Sequence, residues 1–118
     1  MAVLSGLLLK FADSCLETWT HFDVVQQGSL AKFVQADRDR VAICMTISLS
    51  ILGTAQLLIG DPAGSRGVID IPKFGGDNPN PFQYNIDDDL GLTTEPFWLS
   101  ANSEDRGVFI VEVKCRNR

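Results

Sequence analysis

The sequence predicts an all-β protein, an antiparallel β-sandwich of jelly-roll type or a small barrel, built from six to nine short strands. Three observations predict it. Over residues 41–51 the odd positions are Val41, Ile43, Met45, Ile47, Leu49 and Ile51, and the even ones Ala42, Cys44, Thr46, Ser48 and Ser50. That is the period of two of a strand with one apolar face and one small face. Turn signals recur about every 8–12 residues, the spacing of sandwiches and barrels. Only one segment, at the N-terminus, has helical spacing. At 118 residues the chain is the size of one domain. With 45% hydrophobic and 21% charged residues it lies far from the apolar-poor composition of a disordered chain.

Taken in order, Leu4, Leu7, Leu8, Phe11, Cys15 and Trp19 fall close to a helical stripe, but Gly6 and the lack of a cap oppose a helix. Residues 1–22 are therefore expected as an N-terminal arm or short helix, and residues 23–118 as the sandwich domain. The N-terminal apolar run is short, is interrupted by Lys10 and precedes no small-x-small site, so it does not read as a signal peptide. No stretch of about 18 apolar residues exists to cross a membrane as a helix.

Residues 22–36 read as two short strands about Gly28, and "DRDR" as a turn into the strong strand. Gly53 breaks that strand, and "AQLLIG" reads as its return. "GDPAGSRG" is a turn, with Pro62 presetting its second position and Gly64 and Gly67 free to take positive φ. It is no phosphate loop, because it lacks the Gly-Lys-Ser/Thr and leads into the short strand "VIDIP" instead of a helix. "KFGGDNPNPF" is a second turn-rich loop, and "FQYNID" a half-exposed strand. Asp87, Asp88 and Asp89 follow. Asp87 and Asp89 share a face in an extended chain and could share an ion, but the spacing is not that of a calcium loop, and an acidic turn is the expectation. The final stretch, "TTEPFWLSANSEDRGVFIVEVKC", reads as a C-terminal hairpin, with a polar knuckle at residues 102–106 and Gly107 supplying permissive backbone for re-entry.

Chemistry is sparse in this pattern. Residues 1–60 hold four basic and five acidic groups, and residues 61–118 six and ten, for a net charge of −5. Such a surface repels phosphate, so nucleic acid is not an expected partner. The one histidine, His21, sits among Trp19, Thr20 and Phe22 with no nucleophile elbow in the chain. Cys15, Cys44 and Cys115 are odd in number and far apart, fitting neither a disulfide scaffold nor a zinc site, and are expected as buried free thiols in a reducing cytoplasm. No enzyme, cofactor or metal is expected. Surfaces remain: Trp19, Phe97, Trp98, Val108 and Ile110 are the candidate interface, because neighbours on a strand alternate and one of Phe97 or Trp98 must look for cover.

The layout "ADRDRVAICMTIS", "AQLLIGDPAGSRGVIDIP", "FQYNIDDDLG", "EPFWLSANSEDRGVFIVEV" resembles that of small β-sandwich virion proteins of tailed bacteriophages, of the capsid decoration (cement) or head-fibre type. The resemblance covers residues 35–115 and is one of layout. It implies a structural protein made in the host cytoplasm and carried on the capsid surface. Its partners would be itself, commonly as a homotrimer, and the major capsid protein or another virion protein. The alternative on the same sandwich is a carbohydrate- or receptor-binding module, with Trp19, Trp98 or Tyr84 as a stacking platform.

Overall fold

The computed structural model describes residues 16–73, 81–87, 91–102 and 104–115. Eight strands form: β1 (Leu16–Val25), β2 (Ser29–Val34), β3 (Arg40–Ile47), β4 (Ala55–Ile59), β5 (Gly67–Ile71), β6 (Phe82–Ile86), β7 (Phe97–Ala101) and β8 (Arg106–Cys115), with one 3-10 turn at Leu92–Thr94. They make two four-stranded antiparallel sheets, ordered β1-β8-β3-β6 and β2-β7-β4-β5. This is the jelly-roll sandwich, and the barrel alternative falls away because neither sheet closes on itself.

Most successive strands alternate between sheets, which corrects three local readings. The β1–β2, β3–β4 and β7–β8 connections cross from one sheet to the other, so the expected C-terminal hairpin is a crossover. Turn chemistry fixes where a strand ends but not which neighbour it pairs with. Only β4 and β5 form a hairpin of sequence neighbours among the described residues. Its loop is the expected turn, and Asp61, which the sequence reading did not single out, closes it: Asp61 Oδ1 accepts the N–H groups of Ala63 at 2.9 Å and Ser65 at 3.2 Å. The positive φ falls on Gly60 (98°) and Gly64 (72°), not on Gly67. A Cβ at Gly60 would lie 2.5 Å from Arg66 Cγ.

The core lies between the sheets. From β3 it takes Ile43, Met45 and Ile47, from β8 Val108 and Ile110, from β4 Leu57 and Ile59, and from β7 Phe97 and Leu99. The alternation read from residues 41–51 thus holds for Ile43 to Ile47. It fails at both ends. A bulge between Arg40 and Ala42 moves Val41 into a second buried cluster with Ala42, Val113 and Cys115. Beyond Ile47 the strand stops, and Ile51 stands exposed.

The segment expected as an arm or helix is in part a strand: residues 16–22 belong to β1, because Thr18, Thr20 and Phe22 alternate as a strand does. The remainder of that expectation, residues 1–15, lies outside the described residues, as do Asp88, Asp89 and most of "KFGGDNPNPF". The free-thiol expectation holds for Cys44 and fails for Cys115. Cys115 is disulfide-bonded, to a partner outside the described residues. Cys44 is buried, and burial pushes its thiol pKa up, which makes it a poor nucleophile.

Candidate interaction surface

Two buried arginines close the two ends of the sandwich. Arg40, at the start of β3, donates from Nε to Thr93 O at 2.6 Å and from Nη1 to Gln35 O at 2.9 Å and Glu112 Oε1 at 2.7 Å. Its Nη2 donates to Glu95 O. One side chain thus ties the β2–β3 and β6–β7 loops to β8. Glu112 shares its other oxygen with His21 Nε2 at 2.8 Å, so the lone histidine is an outer member of this network. Lys114 completes it, with Nζ 2.8 Å from Asp37 Oδ2 and 5.0 Å from the Trp19 ring centroid. Burial raises the Asp37 pKa, but the Lys114 hydrogen bond, the Asp39 N–H and the charges of Lys114 and Arg40 outweigh it and hold the carboxyl below its ordinary value.

At the opposite end Arg106, at the start of β8, donates from Nη1 to Ser48 O at 2.9 Å and from Nη2 to Gly53 O at 2.7 Å. Its Nε finds no hydrogen-bond partner among the described residues. No carboxylate among the described residues pairs with it; burial lowers its pKa, against the more distant charge of Glu104. The loop it holds is braced further, since Ser48 N donates to Gly107 O and Gly107 N to Ser48 Oγ, both at 2.9 Å. Ser50 Oγ also bonds Glu104. This pinned loop carries Ile51 and Leu52 at its tip, 63% and 62% exposed.

The outer face of the neighbouring sheet continues the apolar character. β1 and β8 pair without a break through ten positions, from Leu16↔Cys115 to Val25↔Arg106. Alternation puts Thr18, Thr20, Phe22 and Val24 outward, beside outward Phe109, Val111 and Val113. Toward the Arg40 end this face is covered within the chain: Val111, Val113, Ala42 and Cys44 are buried. Toward the Arg106 end it is open. Phe22, 65% exposed, faces Phe109, 47% exposed, directly across the two strands. Gly107 does not take a positive φ; a Cβ there would lie 2.9 Å from Cζ of the exposed Phe22 ring, which would have to shift to admit it. Of the eight large apolar side chains exposed among the described residues, Phe22, Val24 and Phe109 lie on this outer face toward the Arg106 end, and Ile51 and Leu52 lie on the loop that Arg106 holds.

The candidate interface residues fare differently. Phe97, Val108 and Ile110 are corrected: all three are fully buried core residues, covered by their own chain, because they point between the sheets. Trp98 lies on the outer face of the second sheet, half-buried, with Lys32 Nζ 5.5 Å from its ring centroid. Trp19 remains exposed, at 42%. Trp19, Trp98 and Tyr84 do not come together. Trp19 is on the inward side of edge strand β1, whereas Tyr84 packs on the core from β6 at the far edge of that sheet, and burial raises its pKa.

No protein-family model matches the chain, and no curated protein matches it by sequence. Among solved structures it is similar to a subunit of Bacillus endospore appendages, which form disulfide-linked pili. That likeness has a TM-score of 0.52 at 8% identity and covers 85% of this chain and 87% of that one. It is also similar to a cupin protein from Bacteroides fragilis (TM-score 0.47, 14% identity, 93% of this chain and 74% of that one). A third is a carbohydrate-binding module of the Cellvibrio mixtus lichenase 5A (TM-score 0.40, 16% identity, 86% and 87%). At such identities the likeness is one of fold alone.

Proposed function

We propose that this chain is a non-catalytic β-sandwich module that works by protein–protein contact, and that the assembly it serves is a virion shell, on which it acts as a decoration or cement protein. The observation that carries the reading is the aromatic pair Phe22–Phe109, exposed on the outer face of a sheet whose Arg106 end also carries the exposed loop tip Ile51–Leu52. An apolar cluster that the fold braces but does not cover is what a docking surface requires. Each such side chain contributes at most about 1.5–3 kcal/mol when buried, so one copy binds weakly and many copies on a lattice bind by avidity. The Cys115 disulfide suits a protein that ends on a particle outside the reducing cytoplasm.

The test is cosedimentation of the purified chain with shells assembled from the capsid protein of the same genome. Saturable binding supports the reading; a chain left in the supernatant, or a genome without a capsid protein, overturns it. A second reading, a glycan-binding module, draws on Trp19, exposed beside His21 and Lys114. Glycan-array binding that is lost in Trp19→Ala would favour it.

A further inference from the structure

We infer that the chain self-associates through the edge of β1 that no other described strand pairs with, two copies pairing this strand antiparallel across a two-fold axis to make one continuous eight-stranded sheet. The four sheet edges are unequal. β2 is six residues long, bears exposed Lys32 and is bulged between Lys32 and Val34. β5 is five residues, carries Asp70 and stops at Pro72. β6 is five residues and starts after Pro81. Shortness, lysine, proline, inserted charge and bulges are the devices that keep an edge from pairing. β1 is ten residues long, pairs with β8 with no register shift or bulge, and has no proline, lysine or arginine; its acidic residues, Glu17 and Asp23, lie toward its two ends.

The hydrogen-bonding groups on this edge can be assigned. Gly107, opposite Val24, turns both its N–H and its C=O toward Ser48, and the Val24 N–H bonds Asp23 Oδ1 at 2.8 Å instead of β8. Alternation then turns the main chain of Thr18, Thr20, Phe22 and Val24 outward, and no strand among the described residues meets it.

The occupant is a second copy because the strand is complementary to itself. With the two-fold axis at Phe22, that residue pairs with its own equivalent and Thr20 pairs with Val24, an exchange of about six main-chain hydrogen bonds. On the inward side His21 then faces Asp23 of the other copy, twice, and no like charges are opposed. The Val24 N–H exchanges Asp23 Oδ1 for a carbonyl, which releases Asp23 to meet that histidine. On the outer side Phe109, Phe22 and their two equivalents form one aromatic row across four strands. This goes beyond the docking proposed above and is tested without a shell.

Sedimentation velocity of the full chain is expected to give twice the 12.9 kDa of one chain, and Thr20→Lys, an edge charge that touches no β8 bond, is expected to give the monomer. Hydrogen exchange of the unmutated chain supplies the second readout: the Thr20 and Phe22 amides are expected to be protected at high concentration and to lose protection on dilution, while the Trp19 and His21 amides stay protected throughout. A monomer at about 200 μM, well above ordinary specific affinities, overturns the pairing. So does a trimer, an aggregate, or exchange at Thr20 and Phe22 that ignores concentration. A dimer untouched by Thr20→Lys overturns it as well, and each of these results leaves shell binding to be decided by its own experiment.

Discussion

The two ends of the sandwich are closed by the same residue type and present opposite surfaces. At one end Arg40 meets a carboxylate and three carbonyls, the surrounding charges pair with one another, and the outer face is covered. At the other end Arg106 donates, among the described residues, to two carbonyls, and the loop it holds lifts Ile51 and Leu52 into water at the end where Phe22 and Phe109 are also exposed. Burial by itself therefore says little about role. The Arg40 end spends its polar groups on closing the fold, whereas the Arg106 end uses them to brace an apolar surface that the fold leaves open.

The contrast is sharpest in stability. Arg40→Met leaves Glu112 buried with only His21 and a 3.9 Å approach from Lys114, so a loss of about 3–5 kcal/mol is expected in urea unfolding. Reduction of the Cys115 disulfide, which lies at the same closed end, is expected to cost about 2–4 kcal/mol. Arg106→Met breaks hydrogen bonds but orphans no carboxylate in contact with it, and about 1–3 kcal/mol is expected. Equal losses at the two arginines would break the comparison.

A pH series refines it. The folded Asp37 pKa lies below 3.8, so its contribution is present above that value and is lost as pH falls through the folded pKa. Between about pH 5 and about pH 3 the unmutated chain is expected to lose more stability than Asp37→Asn. Parallel curves would remove Asp37 and Lys114 from the closing network.

Much of the fold was legible because short-range rules set it: alternation at Ile43, Met45 and Ile47, turns at Gly28 and Gly64, and a strand count that two sheets could absorb. Pairing partners were not legible, since no local signal says that β7 and β8 part to different sheets. The open surface was missed for related reasons. Phe22 lay in a segment that reads as arm or helix, and Phe109 alternates with Val108 and Ile110 in a strand that is apolar on both sides. Such a strand is central and covered on most of both faces, and the sequence does not mark where the cover ends. Two clues were available. Arg106 and Glu112 share the side of β8 that carries Val108 and Ile110, and buried charges of that kind signal partners inside the sandwich. The second is Gly107, read as a turn residue, whose missing Cβ leaves room beside the Phe22 ring.

If the Arg106 end is open because it binds, the Phe22→Ser, Phe109→Ser double variant separates binding from folding, by urea unfolding and shell cosedimentation on one preparation. Neither side chain is in the core, so losing the cross-strand pair is expected to cost about 1–3 kcal/mol and leave the chain folded while shell binding is lost. A variant that binds shells as well as the unmutated chain, or one that unfolds, would contradict the account.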